Sequence, residues 1–429
     1  MRFYFRSLLV GLLLSIIIGT ADAAPSKYRW KKNVITISVS SALTTNTVNF
    51  PPNADASATI DRSIASWQHA ANISFRKSVT TEQSVSPPGM QGDSISLITI
   101  AATPENIAMF PKGLDDAAAR TRVFYDARGF IIEADIVLNP FLQFSTDGTI
   151  GTFDLESTIT HEVGHLLGLG HSHVLGATMN ENNGRNGVYN LPAFNARTLA
   201  ADDVAAIRTL YGPPSTDGTC CGRISGRLVL QTGKPAPNFV VWAEDADDGQ
   251  LLAAAVTAAD GSFRIGGLTA GKIDLRAQGE SSDFSTLSSV GIGSFLITPK
   301  QTVNVLKKLE SINADLSPEY VGFNGQLSSL AVSVNSGGSY NILLGGSNFG
   351  NGNLRVGSSS PDIVFSQKPG RMDFGDSAEA LSFEIFVAPD TPAGEYSVFV
   401  QSETGERRYL LGALTVENVP NLWSTTNYK

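Results

Sequence analysis

The order of apolar and polar positions divides the chain into three stretches. Residues 34–39 alternate with the period of a half-buried strand. Ile60, Ile64, Trp67 and Ala71 then recur at helical spacing, and residues 73–75 and 95–100 read as further strands. Residues 121–125 and 130–139 flank Ala127-Arg128-Gly129, which predicts a hairpin turn. Residues 155–167 predict a helix that starts on Asp154 as N-cap and stops at Gly168. A last helix carries Val204, Ile207 and Tyr211 on one face, with Asp202 and Asp203 in its first turn, where the helix dipole favours negative charge. Strands alternating with helices, then a helix-rich end, predict an α/β or α+β domain.

The pattern changes at Pro213-Pro214-Ser215-Thr216-Asp217-Gly218, a linker by composition. From Arg223 onward strands are short and turns frequent, with a helix expected only over residues 303–309. Asp260-Gly261, between two strand-like runs, predicts a hairpin. A second shift falls at Ser317-Pro318, and beyond it lie Gly-rich turns such as Gly345-Gly346. The expected division is a leader over 1–23, a catalytic-type domain over 24–213, a linker over 214–222, β-sandwiches over 223–316 and 317–418, and a tail over 419–429. A chain of 429 residues exceeds one ordinary core, which agrees with several domains.

Composition narrows the function. A hydrophobic content of 42% suits folded domains. A net charge of −9 without a long basic run makes nucleic acid a poor partner. Arg2, Arg6, an apolar run from Leu8 to Ile18 and the small-x-small Ala21-Asp22-Ala23 predict a cleaved export signal, with a secreted mature chain from Ala24. That run is shorter than the roughly 20 residues that span a bilayer, and no later stretch is long enough. The two cysteines, Cys220 and Cys221, are adjacent. They build no disulfide framework and read as two linker thiols or one strained disulfide.

The chemistry concentrates in residues 161–171, His-Glu-Val-Gly-His-Leu-Leu-Gly-Leu-Gly-His. His161 and His165 stand four apart on the expected helix, so both imidazoles reach one side of it. Gly168 can take a positive φ and turn the chain, bringing His171 back to the same point. Three such nitrogens leave a fourth position open, which is the catalytic kind of zinc site. Glu162 adjoins the first ligand and can act on water without binding the metal. Three of the five histidines fall on ligand positions, which separates this pattern from a chance His-Glu-x-x-His. His69 and His173 read as structural or exposed.

This motif followed by a methionine resembles the metzincin pattern. Met179, in Gly176-Ala177-Thr178-Met179, stands where that clan has its Met-turn beneath the zinc. Ser172 after the third histidine, residues 199–212 and the run Asp135-Ile136-Val137-Leu138-Asn139 are similar to matrixins, the matrix metalloproteinase family. The resemblance implies an α+β catalytic domain with a twisted mixed sheet and three helices, one catalytic zinc and a protein or peptide substrate. By the same analogy, residues 120–125 are the edge strand that receives substrate, and residues 180–195 wall the pocket past the cleaved bond. Asp135, with neighbouring carboxylates or carbonyls, becomes a calcium candidate. Two departures from the animal enzymes stand out. No cysteine precedes Cys220 to act as a propeptide switch, and Val137 occupies the place of a histidine of their structural zinc. Residues 223–280 resemble a carboxypeptidase regulatory-like sandwich, and residues 318–417 an immunoglobulin-like module of bacterial surface proteins. The expectation is a secreted zinc endopeptidase, with cell-surface or matrix contact assigned to the C-terminal domains. The rival is a catalytically weak or inactive adhesin whose sandwiches bind extracellular protein or carbohydrate, which the intact Glu162 and ligand set argue against.

Overall fold

Alternation along β2 (Val34–Ser40) puts Ile35, Ile37 and Val39 on one face, and all three are buried. The computed structural model describes residues 28–417, except 46–47, 52–53, 90, 183–184, 219, 281–286, 311–314, 351, 367 and 374–378. The leader over 1–23, the start at Ala24 and the tail over 419–429 lie outside the described residues. The first sheet also holds β1 (Arg29–Trp30), β3 (Ser74–Thr80), β4 (Leu97–Thr99), β5 (Ala119–Tyr125) and β6 (Phe130–Leu138). Its order is β1-β6-β4-β2-β3, all parallel, with β5 antiparallel to β6 alone. β5 therefore leaves one edge without a strand partner among the described residues. The expected turn joins β5 and β6, with Gly129 at φ 84°.

Three helices of more than ten residues accompany this sheet: α1 (Ala56–Ala70), α2 (Leu155–Leu166) and α3 (Ala201–Tyr211). The stripe Ile60, Ile64 and Trp67 packs α1 on α2. Trp67 is fully buried and its indole N–H donates to Thr160 O at 2.9 Å. The ends of α2 are tied on both sides. A short pair, β7 (Phe144–Ser145) and β8 (Phe153–Asp154), delivers Asp154 to its start. The Asp154 carboxylate accepts Ser157 N–H at 2.9 Å and a two-pronged contact from Arg197. At the other end Leu166 O accepts from Trp30 Nε1 at 2.8 Å and Leu167 O from the Tyr211 hydroxyl at 2.7 Å. These satisfy carbonyls that a helix C-terminus leaves without internal donors.

The second domain is a sandwich of two sheets. β11 (Leu251–Val256), β10 (Phe239–Asp245), β13 (Gly271–Gly279) and β14 (Val290–Ile297) form one in that order. β12 (Ser262–Thr269), β9 (Cys220–Val229) and β15 (Thr302–Lys308) form the other. Two expectations are corrected here. Residues 303–309 are not a helix: Val303 and Val305 alternate with exposed neighbours, a period of two, and β15 runs parallel to β9. Asp260-Gly261 does make a tight turn, with Gly261 at φ 80°, but β11 and β12 do not pair. The turn instead carries the chain from one sheet to the other. Cys220 and Cys221 are joined to each other at the start of β9.

The third domain is also two-layered. One sheet contains β17 (Gln326–Ser328), β16 (Ser317–Phe323), β19 (Ser339–Ser347), β23 (Glu379–Val387) and β21 (Ile363–Phe365), with β22 (Gly370–Asp373) on β23. The other contains β18 (Val332–Asn335), β25 (Arg407–Glu417), β24 (Gly394–Gln401) and β20 (Arg355–Ser358).

All three domains share one junction. Val174 and Ala177 of the first, Trp242 and Leu251 of the second, and Tyr409 and Leu411 of the third form a single buried apolar cluster. Leu175 N–H donates to Leu411 O at 2.9 Å, and Ala254 N–H to the Asp202 carboxylate at 2.7 Å. A Cβ on Gly176 would sit 2.7 Å from Glu395 Cγ, so only glycine permits this approach. Burial pushes the Glu395 carboxyl up to about 8, with Asp203 adding to the rise, and Asp203 up to about 7, with Asp202 adding.

These shifts fix a sign. Carboxyls raised above their ordinary values bind more protons folded than unfolded, so stability falls as pH rises from roughly 4.5 through about 8. Calorimetry should show Tm decreasing between pH 5 and pH 9, with a shallower decrease in Glu395→Gln. An equally steep decrease in that variant contradicts the assignment.

Candidate metal centre

Helical spacing on α2 sets the His161 and His165 rings 4.7 Å apart, centroid to centroid. Past the helix, Gly168 turns the chain at φ 98°, where a Cβ would strike Tyr28 O. The turn returns His171 to the same point. His165 Nε2 lies 3.0 Å from His161 Nε2 and 3.1 Å from His171 Nε2. His161 Nδ1 contacts Thr178 O at 2.7 Å and His165 Nδ1 contacts Leu169 O at 2.9 Å. A carbonyl can only accept, so each Nδ1 carries the proton and each Nε2 presents a lone pair. Lone pairs this close repel one another unless a cation lies among them. Burial, then the neighbouring His165, holds His161 well below the usual imidazole range and brings His171 to about 4. The rings are thus neutral near pH 7, the form that binds metal. Three neutral imidazoles with carbonyl-oriented Nδ1 groups fit zinc. Among the described residues they are the group of three or more side chains arranged to hold a metal ion.

Glu162 lies beside them, 3% exposed. The Thr121 hydroxyl on β5 donates to its Oε2 at 2.5 Å. Burial pushes its carboxyl up to about 7, against the lowering effects of Thr121 and Arg120. The cleft in front measures about 870 Å³ and is lined by Arg120, Thr121 and Val123 of β5, by Glu162 and by the three histidines. The strand expected to receive substrate thus forms one wall of the site. Thr121 escaped the sequence reading because a threonine on a strand carries no signal of its own.

Met179 lies beneath the histidines in the core. Gly164, inside the motif, makes room for it: a Cβ there would run into Met179 Sδ and come within 2.9 Å of the Trp67 ring. The backbone around Met179 is pinned by acids that the sequence placed only in a helix dipole. The Asp203 carboxylate accepts N–H groups of Thr178 at 2.8 Å, Met179 at 3.0 Å and Ala200 at 2.9 Å. Asp202 accepts the Ser172 hydroxyl at 2.5 Å, and Ser172 N–H donates to Met179 O at 2.7 Å. Both acids are buried. Thr178 O in turn orients His161, so the chain of contacts runs from α3 to the first ligand.

Asp135, the residue expected as a calcium candidate, is engaged by the backbone. It is 1% exposed on β6, and its two oxygens accept Ser86 N–H and Leu97 N–H, each at 3.0 Å. Those contacts tie the segments of Ser86 and Leu97 to β6. Burial pushes the Asp135 carboxyl to about 7, with Glu133 and Asp93 adding. Val137 packs with Val85 and Phe110 in a small apolar cluster. His69 is exposed at the end of α1, and His173 stands outside the trio. Of residues 180–195, Glu181 and Asn182 line the cleft.

A sheet with an open edge strand, a three-histidine centre on the helix behind it and a buried glutamate define a metalloprotease-type domain. Comparison agrees: residues 122–212 match the sequence model of Matrixin, and residues 223–305 that of the carboxypeptidase regulatory-like domain. The chain thus carries a matrixin-like metalloprotease domain followed by a regulatory-like sandwich. Metalloendoproteinase 1 of Glycine max is 31% identical over 163 residues, which cover 36% of this chain and 44% of that protein. Metalloendoproteinase 1-MMP of Arabidopsis thaliana is 27% identical over 196 residues, covering 44% and 45%. The chain spans less than half the length of these curated relatives. Among solved structures, BcpA, the major pilin subunit of Bacillus cereus, is 14% identical over 44% of this chain and 66% of that one, with a TM-score of 0.18. So low a score carries no argument about the fold.

Asp203→Asn keeps the volume but replaces one of the two carboxylate oxygens that accept the N–H groups of Thr178, Met179 and Ala200 by an N–H2 donor. Zinc affinity measured by chelator competition should fall about 10–100-fold, the usual range for groups that orient a ligand. Unchanged affinity contradicts the bracing role.

Proposed function

We propose that this chain is a secreted zinc endopeptidase that hydrolyses peptide bonds of extracellular proteins. One observation carries the reading: a buried carboxylate, Glu162, adjoins three converging imidazoles in a cleft walled by an unpaired strand edge. Zinc held by His161, His165 and His171 would act as a Lewis acid on the scissile carbonyl and bring the pKa of water toward about 7.

The chain's own groups supply the remainder. The free edge of β5 offers N–H and C=O groups to an extended peptide, so main-chain pairing positions the bond whatever the side chains. Thr121 fixes the Glu162 carboxylate through its 2.5 Å hydrogen bond. Glu162, with its carboxyl near 7, takes a proton from water and delivers it to the leaving amine. The leader over 1–23 is the basis for proposing export. An adhesin that had lost catalysis would have no need of Glu162 or of the threonine that holds it.

Glu162→Gln keeps the side-chain size and leaves all three histidines in place. Zinc content should remain at one per chain, while cleavage of a generic protein substrate drops by at least about 10²-fold, the contribution expected of a general base. Near-normal turnover with zinc retained overturns the mechanism.

A further inference from the structure

Residues 180–195 lead from Met179 toward α3 and form the wall that the resemblance to matrixins places past the cleaved bond. Two points near the ends of this loop rest on the catalytic domain. Asn186, 1% exposed, donates its N–H to Thr152 O at 2.9 Å and its side-chain amide to the hydroxyls of Ser145 and Thr152 at 3.3 and 3.2 Å. Ala193 O accepts the Ser157 hydroxyl at 2.8 Å. The middle of the loop rests elsewhere. Among the described residues, the hydrogen bonds by which residues 187–191 leave their own loop end on the third domain.

Tyr189 is the anchor. It is 3% exposed and belongs to the apolar core of the third domain with Val321 and Val332. Its hydroxyl lies 2.7 Å from Leu330 O and 2.9 Å from Val321 O. Its N–H donates to Gln326 Oε1 at 2.6 Å, and its carbonyl accepts from Asn324 Nδ2 at 2.8 Å. Tyr189 and Asn190 both stand at φ 59°. A bulky residue holds that left-handed conformation only where its surroundings over-determine it. The contacts that do so come from β16, β17, the turn between them and Leu330. Val188 and Leu191, on either side, pack against the same third-domain core. Val188 and Arg185 also line a cavity of about 350 Å³ that continues the catalytic cleft past Glu181 and Asn182. Where Tyr189 sits therefore decides where this wall of the cleft stands.

We infer that Tyr189 is a positioning residue through which the third domain holds the wall of the cleft, so that a ligand reaching past the metal needs the docked third domain while the metal itself does not. The histidines are braced separately, by Leu169 O and by the strap that Asp203 holds. Without the third-domain grip Tyr189 relaxes toward negative φ. The wall then stands in its competent place only part of the time, and apparent affinity falls by that fraction. The peptidase reading enters only in naming a peptide as what fills the cleft.

The test uses the zinc-loaded full chain. A double variant, Asn324→Gly with Gln326→Ala, removes both hydrogen bonds to the Tyr189 backbone. Both positions are exposed, and glycine accepts the φ of 51° at residue 324, so the core is untouched. Tyr189→Phe keeps the ring and removes the hydroxyl alone. Hydrogen-exchange mass spectrometry reads residues 187–191. Calorimetry reads two probes: acetohydroxamate, which touches only the metal, and a hydroxamate joined to the amino end of a tetrapeptide, which extends along the wall. Wild type should protect the loop and bind the tetrapeptide compound more tightly. In the double variant exchange there should become at least about tenfold faster. The tetrapeptide compound should bind about tenfold more weakly and acetohydroxamate as before. Tyr189→Phe should lie between, and Val364→Lys on the exposed β21 should change neither. Exchange unaltered in the double variant, faster exchange without weaker tetrapeptide binding, or equal weakening of both probes overturns the inference. So does a wild type that binds both probes alike. Absence of peptide cleavage by wild type, with the expected exchange and binding, counts against the peptidase reading alone.

Discussion

Three imidazole nitrogens with lone pairs turned on one another, 3.0 and 3.1 Å apart, are the constraint on which the catalytic domain depends. Left to themselves, neutral rings would rotate apart or share protons. Here rotation is blocked from behind, because Thr178 O and Leu169 O claim the Nδ1 protons of His161 and His165. Each carbonyl is itself held. Leu169 follows the Gly168 turn at the end of α2, and Thr178 belongs to the strap whose N–H groups end on Asp203. The centre is thus preorganised for a cation by the backbone, and the side chains of Met179 and Trp67 close so tightly on Gly164 that a Cβ there would strike them.

That preorganisation extends past the catalytic domain. Asp202 and Asp203 lie between the strap and the other two domains, where Ala254 N–H and the Glu395 side chain meet them. Burying three carboxyls in one junction is costly unless they are hydrogen-bonded or neutral. Here Asp202 and Asp203 accept hydrogen bonds, and Asp203 and Glu395 have raised pKa values. The sandwiches are therefore not loosely tethered modules. Leu411, Tyr409 and Trp242 share one apolar cluster with Val174 and Ala177, a few residues from the third histidine.

Much of this was legible beforehand. The histidine spacing, the N-cap Asp154, the stop at Gly168 and the alternation of β2 are local signals, and each appears where local physics places it. What escaped was non-local. Asp202 and Asp203 looked like ordinary first-turn acids, because nothing in the sequence says that the Met179 strap will fold over that turn. The backbone partners of Asp135, Ser86 and Leu97, lie on distant segments, so its hydrogen bonds were not legible either. Residues 303–309 contain Val-Asn-Val, too short a run to separate period two from 3.6 until β9 supplies a parallel neighbour. Thr121 and Tyr189 gain meaning only from what they touch.

The central claim is that the three nitrogens of His161, His165 and His171 hold one zinc with a position left open. X-ray absorption at the zinc edge of the zinc-loaded full chain, with metal content measured on the same sample, tests it most directly. The account predicts one zinc per chain, three imidazole nitrogens at about 2.0–2.1 Å, at least one oxygen neighbour and no sulfur. Sulfur in the first shell, a zinc bound equally well in His161→Ala, or a fourth imidazole would contradict it.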